Sequence, residues 1–335
     1  MNVVSTRFLV SRITNQLRCW WSYVLSIFGV VRVHHMPTFV SIEPANICQL
    51  RCPECPVGMR QYTPDSTHYM PLGVFQYILT QVQTTAHTMQ FYFQGEPLLN
   101  THLPEMISRA HQAGLYTIVS TNAQALTQEM ADALVRSGLN RIIVSIDGFS
   151  EESYTAYRVG GDLNKALQGL QFLRQAKNKF RSYIRIELQV LRLRTNEHEW
   201  QWIRHNYKEL GATHLVFKTA QLYDYENDHP LMPTNERYSR YKKNADGRYI
   251  HKKNFELRIK NFELFSPCFR LWSGCVITTT GEILPCCYDK GHHYSFGNIL
   301  SFSLRDIFHS KKANNFRQHV LKSQKSRPKM CNNCE

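Results

Sequence analysis

The amino-acid sequence predicts an α/β protein built from six β–α units with parallel strands. Short runs rich in β-branched and aromatic residues alternate with stretches of helical periodicity. Two of those stretches, residues 103–114 and 127–138, are amphipathic and end in glycine, as helices commonly do. The chain has 335 residues, of which 43% are hydrophobic and 20% charged, so it is globular and can bury one large core plus a small appended one. The six predicted strands are residues 38–43, 89–94, 115–121, 141–147, 183–191 and 213–218.

Polar residues gather where the first four predicted strands end. In barrels made of β–α units, the chemistry takes place at the C-terminal ends of the strands. Any one of these residues could serve only to cap its strand, but their agreement on one rim favours a functional site. The rim residues are Asn46 after the first strand, Gln94, Gly95, Glu96 and Pro97 after the second, Ser120, Thr121 and Asn122 at the third, and Ser145, Asp147 and Gly148 at the fourth.

Most of the ten cysteines fall in two tight groups with a long cysteine-free stretch between them. Cys48, Cys52 and Cys55 lie together in CQLRCPEC, directly after the first strand, and the second group begins at Cys268. Such spacing is typical of metal-ligand sets and not of a secreted disulfide framework. Because thiolate ligands require a reducing compartment, the sequence predicts a cytoplasmic protein.

The first group has three cysteines, whereas a structural zinc site or an ordinary ferredoxin cluster takes four protein ligands. A four-iron cubane held by three thiolates keeps one iron open for a substrate or cofactor. On this cysteine spacing, residues 38–220 resemble the radical S-adenosylmethionine (radical SAM) superfamily. The resemblance implies that the open iron binds SAM and that an electron from the [4Fe-4S] cluster cleaves SAM to a 5'-deoxyadenosyl radical. A zinc knuckle made of Cys48, Cys52, Cys55 and a distant fourth ligand is the alternative.

The resemblance also implies SAM contacts along the rim. The segment Gln94-Gly95-Glu96-Pro97 is similar to the family's Gly-Gly-Glu-Pro motif, which holds the methionine amino group. Gln94 departs from that pattern and puts the backbone angle at its position in doubt. The regions that reach the ribose and the carboxylate in similar proteins correspond here to Ser120, Asn122, Ser145 and Asp147.

Two further segments are assigned to SAM by the resemblance. Arg158 would pair with the SAM carboxylate, because a guanidinium group matches a carboxylate bidentately. The segment from Gln189 to Leu191, centred on Val190, would form an apolar wall against the adenine. Glu54 stands where the family often has an aromatic residue, so stacking of the adenine at that point is not expected.

The second cysteine group resembles the SPASM region, or its shorter one-cluster form, the twitch domain. The resemblance implies one fully ligated auxiliary [4Fe-4S] cluster held by Cys268, Cys286, Cys331 and Cys334. We expect one auxiliary cluster and not two, because the chain ends one residue beyond Cys334. The stretch TTTGEILPCCYD predicts a β-hairpin with Gly281 at its turn, which would bring Cys286 back toward Cys268. A zinc ribbon with the same four ligands is the alternative.

Three cysteines stand outside both ligand sets. We expect Cys19 to be buried or interfacial and Cys275 to lie in the core of the C-terminal domain. Cys287 follows an auxiliary ligand directly, and we expect it to face the barrel mouth. There it would be a catalytic residue, acting as an acid, a base or a hydrogen-atom donor, with simple packing as the alternative.

The N-terminal segment, residues 1–37, contains Arg7, Arg12 and Arg18, an aromatic stretch CWWSYVLSIFGVV, and no acidic residue. Its apolar stretch is too short to span a bilayer, which takes about 20 residues, and no signal-peptide cleavage pattern follows. Two interpretations stay open: a helix that packs on the body of the protein, which we favour, or a basic aromatic helix at the inner surface of the membrane. The expected domains are 1–37, the radical SAM core 38–225, a basic linker 226–265 and the auxiliary-cluster domain 266–335.

The sequence and the resemblance together predict a partial (β/α)6 TIM barrel with a small C-terminal α+β domain, two [4Fe-4S] clusters and bound SAM. The formal charge of +14 favours a small polar substrate that is anionic, and nucleic acid is not expected as a partner. The expected reaction is oxidation of an alcohol on a sugar-like or cyclitol-like substrate, with flavodoxin or ferredoxin as the reducing partner. The alternatives are a radical epimerase, a peptide-modifying enzyme, and a non-catalytic iron–sulfur electron-transfer or zinc-binding protein.

Overall fold

In the computed structural model of the protein, strands and helices alternate along the chain as the sequence predicts. The structure describes residues 6–61, 68–252, 268–321, 327–331 and 334. The strands are β1 Phe39–Ile42, β2 Thr88–Phe91, β3 Tyr116–Thr121, β4 Arg141–Ser145, β5 Arg185–Arg192, β6 His214–Thr219, β7 Tyr241–Lys243, β8 Tyr249–His251, β9 Gly274–Ile277, β10 Glu282–Leu284 and β11 Gly297–Asn298. The helices are α1 Thr6–Ile27, α2 Leu72–Val82, α3 Leu103–Gln112, α4 Gln128–Arg136, α5 Glu151–Thr155, α6 Leu163–Lys179, α7 Trp200–Asn206, α8 Phe269–Ser273, α9 Leu304–Phe308 and α10 Lys311–Leu321, with 3₁₀ turns at Pro97–Leu99, Arg194–Glu199, Glu236–Tyr238 and Lys329–Cys331.

The six predicted β–α units are confirmed as a partial barrel of parallel strands, β1 to β6. The largest difference is at β2, which ends at Phe91 and not at residue 94. Gly95, with a φ of 65°, turns the chain out of the sheet soon afterwards. The predicted helices at 103–114 and 127–138 are α3 and α4, and each is followed by a glycine with positive φ, Gly114 and Gly138.

The C-terminal hairpin joins the sheet of the barrel. Within the described residues, nine strands form one sheet in the order β11-β10-β9-β1-β2-β3-β4-β5-β6. Strand β9 runs parallel to β1, with Gly274 opposite Phe39, while β10 folds back antiparallel to β9. The sequence predicts a small appended core for this region, and the structure differs: Trp272 and the buried Cys275 belong to the barrel's own hydrophobic core. The reason is that β1 would otherwise be an unpaired edge strand.

The predicted basic linker packs over the loop that follows β1. It contains the antiparallel pair β7–β8. Met232 and Tyr241 from this segment share one hydrophobic cluster with Leu50 and Cys52 of the loop. The Tyr241 hydroxyl accepts from the backbone N–H of Leu222 at 2.9 Å and donates to its carbonyl at 3.0 Å. Residues 253–265 of the predicted linker lie outside the described residues.

Helix α1 packs on the body through a polar face. The buried positions recur every three or four residues and all carry polar or small side chains: Arg12, Asn15, Cys19, Ser22 and Ser26. Within the described parts of the chain, no helix combines the length and the apolar character that crossing a bilayer requires.

Arg12 fixes α1 to the ends of two helices. Its guanidinium donates to the carbonyl of Gln83 at 2.5 and 3.2 Å, to Ala113 at 2.6 Å and to Gly114 at 2.7 Å. Gln83 and Ala113 are the C-caps of α2 and α3, where a positive charge complements the helix dipole. Asn15 binds the backbone of Met36, just before β1. Helix α1 therefore lies across the N-terminal ends of the strands, opposite the rim that carries the cysteines.

We predict that Arg12→Met lowers the free energy of unfolding by about 2–4 kcal/mol, because it strips buried helix-end carbonyls of charged donors. Arg18→Met on the exposed side of the same helix is the matched control and should change that free energy by less than about 0.5 kcal/mol. Urea denaturation followed by circular dichroism measures both changes. Equal stability of the two variants would contradict the assigned role of Arg12.

Candidate functional site

The three-cysteine loop leaves the sheet at the end of β1 and turns back on itself. The backbone N–H of Cys55 donates to the carbonyl of Cys52 at 3.2 Å, and Met59 N–H donates to the Cys55 carbonyl at 2.7 Å. Gly58 lies inside this turn, where an added Cβ would come within 2.5 Å of the Cys52 carbonyl oxygen and 2.6 Å of its nitrogen. Only a residue without a side chain therefore fits at position 58, a requirement that the cysteine spacing does not reveal.

The loop sulfurs are surrounded by N–H donors. Cys48 Sγ accepts from the backbone N–H of Leu50 and from Asn122 Nδ2, both at 3.4 Å. Arg158 Nη1 approaches Cys52 Sγ at 3.9 Å. Hydrogen bonds to the sulfurs are one of the means by which a protein tunes an iron–sulfur cluster.

The donor set fits an iron–sulfur cluster. Burial raises the pKa of the Cys48 thiol to about 12, and neighbouring Cys52 and Cys55 contribute to the increase. Thiols buried together in this way become thiolates when a metal centre compensates their charge. Within the described ranges, no three histidine, cysteine or acidic groups meet closely enough to hold a single metal ion, so the fit rests on the chemistry of the three thiols.

Gly95 and Glu96 bring the second strand's end against the cysteine loop. Gly95 has a φ of 65°, and a Cβ on it would lie 2.3 Å from the carbonyl oxygen of Ala45. The buried Glu96 carboxylate accepts from Thr121 Oγ1 at 2.7 Å and from the backbone N–H of Asn122 at 2.8 Å. Burial raises the pKa of Glu96, and these hydrogen bonds oppose the increase. The predicted methionine-binding acid thus lies beside Cys48, and Asn122 contacts both groups.

Arg158 and Asp147 form a buried ion pair. The Nε and Nη2 atoms of Arg158 lie 2.7 and 2.6 Å from Asp147 Oδ2, while Asp147 Oδ1 accepts from the Leu191 N–H at 2.6 Å. Although burial opposes the charged form, Asp147 and then Cys52 raise the pKa of Arg158. The sequence assigns both residues to SAM, and the structure shows that Asp147 orients Arg158 so that its remaining nitrogen points toward Cys52.

The other predicted SAM residues separate into two faces of the sheet. Val190 is fully buried in the core behind the barrel wall, so its side chain does not face the site. Leu191 lies on the opposite face and packs with the cysteine loop. Ser145, opposite Gln189 on β5, and Ser120 on β3 alternate with core residues in the same way and therefore face the barrel interior.

Gln94 connects the rim to the C-terminal region. Its Nε2 donates to the carbonyl of Lys290 at 2.9 Å, and Lys290 Nζ lies 4.4 Å from the ring centre of Phe93. Gln94 is not among the non-glycine residues with positive φ, so the strained backbone angle falls on Gly95. The departure from the family's glycine is thereby explained, because position 94 needs no special angle and its side chain makes an inter-region contact.

The C-terminal thiols lie near one another. Gly281, with a φ of 85°, forms the turn between β9 and β10 as predicted. The pKa of Cys331 is raised to about 11, first by burial and then by the nearby Cys268 and Cys334. Burial also raises the pKa of Cys286, with contributions from Cys287, Cys268 and Cys331. The four thiols predicted to hold the auxiliary cluster thus lie near one another, and Cys287 lies near them as well.

Cys287 lies near both the thiol group and Tyr92. Arg270 Nη1 donates to its sulfur at 3.3 Å. Burial raises the pKa of Tyr92 to about 12; Arg141 opposes the increase and Cys287 adds to it. The sequence predicts that Cys287 faces the barrel mouth, and that orientation stays a prediction.

Glu54 has a function that the sequence does not reveal. Its Oε2 accepts from the backbone N–H of Tyr223 at 2.9 Å, and its Oε1 lies 3.1 Å from His229 Nε2. Glu54 therefore fastens the segment after β6 over the cysteine loop. In the sequence, Glu54 is marked only by its position between two closely spaced cysteines. That position does not indicate its hydrogen-bond partners.

Two sequence profiles match the chain: the Radical SAM superfamily over residues 42–186 and the SPASM iron-sulfur cluster-binding domain over residues 268–335. The AdoMet-dependent heme synthase of Methanosarcina barkeri is 26% identical over 196 residues, which are 56% of this chain and 52% of that enzyme. The match therefore spans about half of that relative's length.

Two solved structures share the fold. Streptococcus suis SuiB bound to S-adenosylmethionine superposes with a TM-score of 0.65 at 12% identity, covering 90% of this chain and 72% of SuiB, and SuiB has also been solved with the precursor peptide SuiA. BtrN in complex with AdoMet and 2-DOIA gives a TM-score of 0.54 at 17% identity, covering 90% of this chain and 93% of BtrN. With both profiles placed on the two thiol groups, the chain belongs to the radical SAM superfamily and carries a SPASM auxiliary iron–sulfur cluster domain.

Proposed function

We propose that the protein is a radical SAM dehydrogenase that oxidises an alcohol of a small polar, sugar-like or cyclitol-like substrate. The observation that carries the proposal is the polarity of the barrel interior. Along each inner strand the residues that alternate with core positions are mainly polar. The polar ones are Ser41, Gln90, Tyr92, Ser120, Arg141, Ser145, Glu187 and Gln189, and Ile118 and Ile143 are apolar residues at the same alternating positions.

Both thiol groups lie near this interior. The cysteine loop lies at the rim, and Cys287, which directly follows Cys286, lies near Tyr92. When bound by Cys48, Cys52 and Cys55, a [4Fe-4S] cluster with SAM supplies a 5'-deoxyadenosyl radical that takes a hydrogen atom from a substrate carbon. Glu96 and Arg158 would hold the charged end of SAM beside that loop. The chain's own contribution is thus to position SAM at the mouth of a polar chamber.

Oxidation of an alcohol to a carbonyl removes one hydrogen atom, one proton and one further electron. Cys268, Cys286, Cys331 and Cys334 would hold an auxiliary iron–sulfur cluster, which would supply an acceptor for that electron. Glu187 is a buried carboxylate in the interior and can accept the proton. Its oxygens lie 2.6 Å from Arg141 Nη2 and 3.0 Å from Arg185 Nη2, and this pairing offsets the cost of burying the carboxylate.

Support for alcohol oxidation also comes from the similarity of the fold to that of BtrN. BtrN, whose structure contains 2-DOIA, has a length similar to that of this chain, and the cyclitol-like substrate class is taken from it as part of the proposal. The positive charge near the interior comes from Arg141 and Arg270, which favours a substrate that carries an anionic group.

Epimerisation is the second candidate, and Cys287 is the observation that favours it. Its sulfur contacts Arg270 at 3.3 Å and lies near Tyr92, and a thiol near the interior can return a hydrogen atom to a substrate radical. An epimerase keeps the substrate's composition, whereas a dehydrogenase removes two hydrogens. Peptide modification is an outcome that the same assays would detect, and SuiB supports it only through a shared fold.

We predict that anaerobically reconstituted protein binds about eight irons and that Gly58→Ala binds about four, because two four-iron clusters are proposed and the added methyl displaces Cys52. Gly73→Ala is the matched control, since no atom lies within 4 Å of the position that its Cβ would take. Iron analysis and electron paramagnetic resonance count the clusters. A full iron complement in Gly58→Ala would contradict the tight loop, and tightly bound zinc in place of iron would contradict both clusters.

We predict that Arg158→Gln weakens SAM binding by roughly tenfold or more while the iron content stays unchanged, because a buried charged hydrogen bond is lost. Arg109→Gln is the control, because it removes a partly exposed arginine–glutamate pair on α3, with Glu105 at 2.6 Å. Equilibrium dialysis with labelled SAM measures both affinities. Equal affinity in the two variants would show that Arg158 serves only to hold Asp147.

The reaction itself is tested with dithionite, SAM and a panel of sugar phosphates and aminocyclitols, including 2-DOIA. We expect substrate-dependent 5'-deoxyadenosine and a carbonyl product lighter by two hydrogens. Cys287→Ala should retain at least half of this activity, with Cys275→Ala as a buried-cysteine control. A product isomeric with the substrate, with deuterium incorporated from heavy water and lost in Cys287→Ala, would replace the dehydrogenase by the epimerase.

A further inference from the structure

Helix α1 turns its apolar side to the solvent. Its buried face is polar, whereas the opposite face carries large apolar side chains that are between 38% and 64% exposed. These residues recur every three or four positions and so form one continuous stripe along the helix. They are Leu9, Val10, Ile13, Leu17, Trp20, Trp21, Val24 and, just beyond the helix, Phe28. A stripe of this size on a protein surface marks an interaction site.

The contacts of the buried face hold the stripe outward. Arg12 and Asn15 fasten the helix to backbone groups of the barrel. At the edge of the stripe, the half-exposed Trp20 also stacks on Phe269 with the ring centres 4.8 Å apart. A rotation that buried the apolar stripe would pull Arg12 off its four hydrogen bonds to the ends of α2 and α3. The exposure of the stripe therefore follows from the way in which α1 packs on the barrel.

The positive charge around the stripe indicates which kind of partner binds there. Residues 1–42 contain no aspartate or glutamate, and Arg18 and Arg32 are exposed along the helix and just after it. Lys311 and Lys312, also exposed, begin α10, and the preceding His309 contacts the carbonyl of His35 at 2.9 Å. Positive side chains beside an apolar face complement a bilayer that contains anionic lipid, whereas a soluble protein partner would not require this charge.

The tryptophan residues of the stripe are typical of a helix that lies at the level of the lipid headgroups. Tryptophan residues are enriched at the level of the lipid headgroups, and two are adjacent here, Trp20 and Trp21. The 22-residue helix is about 33 Å long, but its buried face is polar, so it fits a position parallel to the membrane surface.

We propose that α1 is a membrane-surface docking element that binds bilayers containing anionic phospholipid through this stripe. Since α1 lies across the N-terminal ends of the strands, docking directs the cysteine rim away from the lipid. The barrel opening then faces the aqueous phase, where the reductant and a polar substrate are available. This inference is independent of the reaction proposed above, because it uses none of the site residues.

Vesicle flotation of the full-length protein tests the proposal. We expect the protein to float with phosphatidylcholine vesicles that contain phosphatidylglycerol and to bind pure phosphatidylcholine more weakly. Leu17→Glu combined with Trp21→Glu should weaken partitioning at least tenfold, because two apolar side chains are replaced by charges that anionic lipid repels. Replacing Arg18 and Arg32 by glutamine should weaken binding to the anionic vesicles by about fivefold per arginine.

Trp202→Glu is the matched control, because Trp202 is a half-exposed tryptophan on α7, away from α1. It should float like the unchanged protein. A second measurement needs no charged variant: brominated lipid should quench the fluorescence of the unchanged protein, and Trp20→Phe with Trp21→Phe should abolish that quenching.

Two outcomes would overturn the proposal. One is an unchanged protein that stays in the soluble fraction with every vesicle, or that floats equally well after the Leu17 and Trp21 changes. The other is a dimer in light scattering that these two changes convert to a monomer, with no lipid binding, since a second copy would then be the occupant of the stripe.

Discussion

The pairing of β1 on both of its edges is the constraint on which the rest of the structure depends. Strand β1 lies between β2 and β9 and runs parallel to both. Its N-terminal end receives the contacts of α1, and its C-terminal end leads into the cysteine loop. Because both edges are hydrogen-bonded, the origin of that loop is fixed relative to the second strand's rim and to the SPASM thiols at once.

Buried charges at the rim are held by fixed partners before any cofactor binds. Asp147 is neutralised by Arg158 and also accepts the N–H of Leu191, while Glu96 accepts from Thr121, Asn122 and Leu98. A buried carboxylate without such donors would cost several kcal/mol. The same partners therefore lower the cost of burial and orient the groups, so little rearrangement is required when a charged ligand arrives.

The sequence was sufficient for the β–α units and the ligand-type cysteine groups, because both depend on local spacing. Strand alternation, helix-ending glycines and the three-cysteine loop each leave a periodic or short-range signal. The roles of Gln94, Glu54 and Gly58 could not be predicted, because each depends on what a distant segment brings against it. The orientation of α1 could not be predicted either. Its apolar residues indicate a packed face, but Arg12 finds backbone partners on two helices, so the polar face is buried instead.

The union of the SPASM hairpin with the barrel sheet has a consequence for biosynthesis. Chains are made from the N-terminus, and domains generally fold as units during synthesis. Strand β1 emerges early, yet its partner β9 is more than 230 residues later in the chain, from Phe39 to Gly274. During that interval one edge of β1 has exposed hydrogen-bonding groups, a form that favours aggregation. One edge of β1 therefore stays unpaired until β9 has left the ribosome, and a truncation that removes β9 would reopen the same edge.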